Sequence, residues 1–358
     1  QARPVLELAR ARRADLQLAY THFSPSAERF ARGLRVDFAD YLPFDTRADM
    51  ETALALLAPR ALVFAKLDVW PVLVRLARAR GVRIGMISAT LAPGSSRGRG
   101  LARALLHDAY AALDAVGAID ASDAERLVAL GVRPEAISVT GDTRYDQVWA
   151  RARAADRGSA LLAPLANDRP TLVAGSTWPA DEVPLLAAWR TVAQRVPEAR
   201  LVIAPHEPTA AHLAPVEQAA RAAGWRFARL GSDAQRDADV VLVDRVGVLG
   251  DLYAVADAAF VGGGFHAAGL HSVLEPAAFG APVLFGPRHA GSRDAALLLA
   301  AGGGAVGASA GALADVLVQW LGDEALRRRA GDAARATVEH GLGAAERSWS
   351  LVEGLLGA

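Results

Sequence analysis

The stretch Val255–Pro287, VADAAFVGGGFHAAGLHSVLEPAAFGAPVLFGP, decides how the rest of the chain is read. Its apolar runs Ala258–Val261 and Pro282–Phe285 have the length and continuity of parallel strands buried on both faces. The first run ends in Gly262, Gly263 and Gly264. Gly269 then leads into a helix expected to start near Val273, carrying Glu275 and with Pro276 in its first turn, where a missing N–H costs nothing. His271 and Ser272 lie at its mouth. In open α/β sheets ligands bind outside the carboxyl ends of the strands. Bare backbone N–H groups, a helix N-terminus and one carboxylate at that place suit an anionic, ribose-bearing ligand such as a nucleotide sugar.

Bulk composition sets limits on this reading. A chain of 358 residues with 52% hydrophobic residues is long for one core, so two domains are expected. The 39 basic and 39 acidic residues cancel, which removes a global electrostatic case for nucleic acid. The basic residues are arginines except for Lys66, as a GC-rich genome would produce. With no cysteine there is no disulfide, thiolate metal site or cysteine nucleophile. No run approaches a transmembrane span and none reads as a signal peptide. The opening residues ARPVLELARARRA read as an amphipathic helix with no strand before it, so a first strand and its loop are expected to lie ahead of Gln1.

Strand and helix signals alternate from Leu16 to Val139, with strands at Leu16–Tyr20, Arg35–Phe38, Ala61–Phe64, Val82–Ile87, Asp114–Ala118 and Ile137–Val139. Ser122, with Glu125 three residues on, reads as the cap of the helix that follows Ala118. Residues 156–170, rich in Gly, Pro, Asn and Asp, read as a linker. The pattern then restarts with strands at Thr171–Ala174, Arg200–Ala204, Phe227–Ala228 and Val240–Val243 ahead of the opening stretch, and a last strand near Ala305–Val306. This predicts an α/β chain of two Rossmann-like domains, 1–160 and 161–358, with the last helices packing back on the first. Two such domains facing a cleft form the glycosyltransferase B fold.

Each candidate residue has a plainer reading beside its functional one. Glu275 can accept both hydroxyls of a ribose, or simply favour the helix dipole. Gly262–Gly264 can present N–H groups to a phosphate or carboxylate, or make a tight turn. His206 sits at a strand end between two prolines. Ser176 and Thr177 can bind phosphate at a helix N-terminus or cap that helix, with Asp181 and Glu182 in its first turn. Asp68 and Trp70 follow another strand, Trp70 reading as packing. Arg97, Arg99 and Arg103 beside Leu101, Leu105 and Leu106 suit lipid phosphates and a bilayer surface, or a solvated loop. The histidines and carboxylates show no metal-ligand spacing.

Taken together, THFSPSAE, YLPFDT, DVWP, the ISAT loop, VTGDTRYD, GST with acidic residues after it, PHEP, GDLY and FVGGG…GLHSVLEPAAFGAPVLFGP resemble, in order, the 3-deoxy-D-manno-octulosonic acid (Kdo) transferases of lipopolysaccharide synthesis. The likeness runs from Pro4 to about Ala301. It implies transfer of Kdo from CMP-Kdo to a lipid A precursor at the cytoplasmic face of the inner membrane, with inversion, no metal or other cofactor, and a glutamate as general base just before Gln1. It places Ser24 and Ser26 on the acceptor side with Asp68, Arg97 and Arg99. It puts Ser176, Thr177, His206, Gly262–Gly264, His271, Ser272 and Glu275 on the donor side. The chain departs from the family pattern at Lys66 and Asp68 (two glutamates), Trp178 (His), His206 (Arg), Ser272 (Asn) and Gly291 (Asn), which opens the identity of the donor. Two alternatives follow: a UDP-sugar transferase or 2-epimerase of the same fold, for which His206 and Glu207 speak, and a non-catalytic nucleotide-sugar-binding protein.

Overall fold

The computed structural model describes residues 1–357, the Ser26 side chain excepted. The chain forms two compact units, Gln1–Gln147 with Gly341–Ala358, and Val148–His340. Elements α1 (Ala2–Arg12), β1 (Ala19–His22), α2 (Glu28–Ala31), β2 (Phe38–Tyr41), α3 (Arg47–Leu57), β3 (Ala61–Ala65), α4 (Pro71–Ala79), β4 (Arg83–Ala89), α5 (Gly100–Ala111), β5 (Ala115–Ala118), α6 (Ala121–Leu130), β6 (Ile137–Val139) and α7 (Arg144–Ala154) come first. Then follow β7 (Thr171–Thr177), α8 (Pro179–Arg195), β8 (Arg200–Pro205), α9 (Ala210–Ala222), β9 (Phe227–Arg229), β10 (Val240–Leu242), α10 (Leu249–Leu252), β11 (Ala258–Val261), α11 (Leu274–Ala278), β12 (Val283–Phe285), α12 (Arg293–Ala301), β13 (Gly304–Val306), α13 (Ala310–Gly322), α14 (Glu324–His340) and α15 (Ala344–Leu356).

The expected α/β class is observed, and every paired strand is parallel. The second unit holds one seven-stranded sheet ordered β13-β12-β11-β7-β8-β10-β9. Its chain starts in the middle at β7, moves outward through β8, and returns across β7 to β11. The β7–β11 neighbourhood is therefore the topological switch point, where an open α/β sheet leaves a crevice at its carboxyl edge. Alternate residues feed two cores, as the two-residue period of a strand requires. Leu172, Ala174, Leu201, Ile203, Ala258 and Phe260 pack with Trp189 of α8 and Leu317 of α13. Val173, Val202, Val241 and Ala259 pack on the other face with Leu162, Leu165 and Tyr253. Burial on both faces is why these strands read as unbroken apolar runs.

In the first unit β3-β4-β5-β6 form one sheet, and β1-β2 a separate pair. Ile84 and Met86 of β4 face a core with Val74 and Tyr110. Ile87 faces the other way, against Val5, Ala9 and Trp349, so α15 completes the core beneath α1. The unit boundary falls after Gln147, not near residue 160. The polar stretch read as a linker is part of the second unit, because Leu162 and Leu165 insert into its core and the fully buried Arg200 donates to Leu165 O (2.5 Å) and Asn167 Oδ1 (3.2 Å). Two early strands lie about three residues later than their apolar signal, since Leu16 and Leu18 pack in the core ahead of β1. Asp120, not Ser122, caps α6: its Oδ1 accepts from Asp123 N at 2.6 Å.

Phe260 is fully buried in the central core of the second unit. Phe260→Ala is expected to lower stability by roughly 3–5 kcal/mol through lost transfer energy and the cavity left behind, measured as a drop in the urea midpoint of the second unit's transition.

Candidate functional site

At the carboxyl end of β7 the backbone is irregular. Pairing with β8 shifts register between Gly175 and Thr177, and Ser176 takes a φ of +54°. Such bulges re-aim side chains and concentrate beside sites. Ser176 and Thr177 thus end the strand, and the residue capping α8 is Trp178. Thr177 Oγ1 donates to Glu182 Oε1 (2.9 Å). Burial pushes the Glu182 carboxyl above its ordinary range.

Asp181 in the first turn of α8 is fully buried. Its Oδ2 accepts from Trp178 N (2.9 Å) and Gly263 N (2.8 Å), and its Oδ1 from Phe265 N (2.9 Å). A carboxylate with three backbone donors is stable away from water because each N–H replaces a lost hydration contact. The glycine loop therefore differs from the expectation. Gly263 N–H is committed to Asp181, and Gly262 N–H donates to Gly175 O (2.9 Å). These glycines are required by close backbone approach. A Cβ on Gly262 would collide with the Ser176 carbonyl, and one on Gly264 with the Gly286 backbone, while Gly263 has a φ of +91°. Ligand contact through free N–H groups of Gly262 and Gly263 is thereby removed.

The loop and the two strand ends bring together four rings. His266 stacks on Trp178 (4.5 Å between centroids, 12° between planes), His206 lies 4.7 Å from Trp178, and His206 stacks on His271 at 4.4 Å. His206 is exposed and His271 half-buried. The indole Nε1 of Trp178 donates to His271 Nε2 (3.1 Å), which makes that nitrogen the unprotonated one, since an indole N–H only donates. Burial, and next the neighbouring His206, push His271 below its ordinary value. Trp178 entered the sequence reading only as a departure from the family pattern, and His266 was not singled out at all. Their signal was weak: an indole after Gly-Ser-Thr, and a histidine two residues past the glycines.

Glu275 is the second residue of the five-residue α11, with Pro276 third, as expected. Burial pushes its carboxyl above the usual range, and Arg151 draws it back. Below it the fully buried Tyr253 is pushed up by burial and by Glu275. Ser272 is exposed beside it. The second unit thus gathers Ser176, Thr177, His206, Gly262–Gly264, His271, Ser272 and Glu275 around one switch point.

In the first unit, Arg97 is held down rather than free. Its Nη1 donates to Leu67 O (2.9 Å) and its Nη2 to Asp68 Oδ1 (3.3 Å), while Asp68 itself is exposed. Tyr110 Oη donates to the same Leu67 carbonyl (2.9 Å). Arg99 is the N-cap residue of α5, whose Leu101 and Leu105 are 75% and 66% exposed, so an apolar and basic face meets solvent. The Ser24 carbonyl accepts from Ala27 N (3.0 Å) and lies 3.1 Å from His22 Nδ1. The Ser26 side chain lies outside the described residues. Phe23 packs its ring on Phe44 and on Trp70 (5.7 and 5.1 Å). Asp45, in the loop YLPFDT, accepts from Val72 N and Leu73 N (2.9 Å each) and so satisfies the first-turn amides of α4. Among the described residues no three His, Asp or Glu side chains converge as a metal site would need.

Residues 1–147 match the family model described as 3-deoxy-D-manno-octulosonic-acid transferase (kdotransferase). The chain is 31% identical over 324 residues to the 3-deoxy-D-manno-octulosonic acid transferase of Bordetella pertussis, spanning 88% of this chain and 74% of that one. The chain belongs to the Kdo transferase family. The family's protein from Haemophilus influenzae is 24% identical over 94% of this chain and 80% of its own length. Among solved structures, UDP-GlcNAc 2-epimerase from Neisseria meningitidis bound to UDP-GlcNAc aligns with a TM-score of 0.70 at 14% identity, covering 99% of this chain and 95% of that one. The S. aureus MnaA–UDP co-structure aligns at 0.65 and 15%, covering 99% and 93%. At such identities the likeness shows the fold alone, two Rossmann-like units of the glycosyltransferase B class. Family membership makes the chain a glycosyltransferase.

Two outcomes follow from this geometry. Asp181→Ala strands three backbone donors, two of them in the glycine loop. It is expected to cost about 3 kcal/mol or more, read as a lower Tm, with Asp181→Asn intermediate because one oxygen still accepts. His271, held neutral when folded and near 6.5 when unfolded, contributes stability that is complete above about pH 6.5 and is lost as pH falls through its lowered folded value. Trp178 fluorescence and Tm should change together over that range, and His271→Asn, which keeps an acceptor for the indole, should flatten both.

Proposed function

We propose that this glycosyltransferase moves Kdo from CMP-Kdo to a lipid A precursor of the lipid IVA type, with inversion and without a metal, at the cytoplasmic face of the inner membrane. The observation that carries the donor half is Glu275: a partly buried carboxylate at the start of a helix, beside the switch point of a parallel sheet. Such a group accepts two adjacent ribose hydroxyls, and those donors would replace the solvation that burial has removed. Ser176, His206, His271 and Ser272 lie at the same strand ends and would receive the charged phosphate and sugar carboxylate, with imidazoles in place of a fixed cation, while the buried Thr177, whose hydroxyl donates to Glu182, would hold the strand end in place.

Chemically the step is one in-line displacement. The acceptor hydroxyl oxygen forms a bond to the anomeric carbon while the bond from that carbon to the CMP phosphate oxygen breaks and its electron pair leaves with the phosphate. A general base on the acceptor side takes the hydroxyl proton. Groups at the donor site stabilise the charge that builds on the departing phosphate. Ser24, Ser26, Asp68, Arg97 and Arg99 are proposed on the acceptor side. Leu101 and Leu105, exposed on α5 next to Arg99 and Arg103, support a peripheral approach to an anionic bilayer. No described helix is long and apolar enough to cross a membrane.

The reading is tested by ligand discrimination. CMP is expected to raise Tm and UDP to leave it nearly unchanged, and Glu275→Gln should weaken CMP binding about tenfold or more, roughly 1.4 kcal/mol, with little loss of stability. Equal or stronger binding of UDP would favour the UDP-sugar reading, for which His206 at the end of β8 speaks. No transfer from CMP-Kdo to lipid IVA by the full-length enzyme would sink the activity itself.

A further inference from the structure

Ser88 has a conformation that serine does not choose. It lies near the carboxyl end of β4 with a φ of +48°, fully buried. The pairing of β4 with β5 slips register between Met86 and Ala89, so Ser88 sits on a bulge. Glycine would take this φ without strain. A serine that keeps it must be held by something its side chain does.

That side chain is one half of a reciprocal pair. Thr143, also fully buried, stands four residues beyond β6. Its Oγ1 donates its single proton to the Gln1 carbonyl (2.7 Å). The 3.0 Å contact between the two hydroxyls is therefore a bond donated by Ser88 Oγ to Thr143 Oγ1. Thr143 N donates back to Ser88 Oγ at 3.4 Å. The relay runs from the strained strand end, through the turn after β6, to the residue that caps α1. Nearby, Lys66 follows β3 with a φ of +73°, and its N–H donates to Ile87 O (2.9 Å). Strain is thus gathered at one edge of the first unit's sheet, where α/β folds place their chemistry.

The second unit carries the counterpart. Ser176 has nearly the same φ, +54°, on a register slip at the carboxyl end of β7, among the residues assigned above to the donor. Each unit therefore has one serine forced into the left-handed region by a bulge at the ligand edge of its sheet.

We propose that Ser88 and Thr143 are positioning residues for the acceptor half of the transfer. They fix the amino end of α1 against the carboxyl edge of β4, so that the acceptor meets a preorganised edge. The inference rests on the transferase reading and adds to it a pair of residues that touches neither substrate.

In the full-length enzyme, Ser88→Ala and Thr143→Val are expected to lower kcat at least tenfold, with CMP affinity unchanged and KM for the acceptor changed less than threefold. Thr143→Ser should recover most of the rate, because it restores the hydroxyl. Ser88→Gly, which relieves the strain but leaves Thr143 N–H without its acceptor, should be at least as stable as Ser88→Ala, yet remain slow. Hydrogen exchange at the amides from Val5 to Leu8, which donate to the carbonyls of the N-cap and first turn of α1, should rise in Ser88→Ala and Thr143→Val. Rates that follow Tm alone, or a Ser88→Gly variant as fast as wild type, would overturn the proposal. Wild-type enzyme that binds CMP but transfers nothing would remove the functional reading. The positioning role is then decided by exchange, and unchanged protection of α1 in both variants would overturn it.

Discussion

The second unit's site depends on one buried carboxylate. Asp181 takes a backbone N–H from the start of its own helix and two from the loop after β11, so α8 and the glycine loop are tied at a point neither reaches by packing alone. Two further features follow from that tie. The loop is drawn so close to the end of β7 that Gly262 has no room for a side chain. Trp178 stacks on His266 and donates to His271, which lies against the strand-end His206. Without the charge at Asp181 the loop would have no partner for two inward-pointing N–H groups, and an unpaired buried donor costs more than most single contacts supply.

The same tie changes how an anion is received. A glycine-rich loop at a strand end invites the reading of a backbone cradle. Here two of those donors already have partners inside the protein. What remains beside them is a set of rings, the exposed His206 among them, together with the partly buried Glu275. Two protonated imidazoles in such contact would repel one another, which acts with burial to hold His271 below its ordinary value.

Much of the fold was legible because its strands are buried on both faces. Ala258–Val261 and Ile137–Val139 are read to the residue, and Pro276 falls in the first turn of α11 as its missing N–H demands. Legibility failed where local signals competed with packing. Leu16 and Leu18 read as strand because they are apolar, but their burial is against α1 and α15. Residues 156–170 read as a linker because they are polar and turn-rich, yet two leucines among them anchor the stretch to the second core. Ser122 looked like a cap by the spacing of Glu125, but α6 begins at Ala121, so Asp120 holds the cap position and Ser122 lies in the first turn, donating to it.

By itself the sequence determined the α/β class, the two-unit plan, the family, and the residues clustered at the second unit's switch point, because parallel strand runs and ordered motifs are local patterns. Only the tertiary structure decided what those residues do there. Asp181, eighty-two residues from Gly263, is indistinguishable in sequence from any helix-start acid, and its role exists only once β7 and β11 lie side by side. Likewise Ser88 and Thr143, fifty-five residues apart, become a relay only when β4 and the turn after β6 end at the same edge. Hydrogen-bond partners across such separations are set by the register of the sheet, and register is a property of the assembled strands.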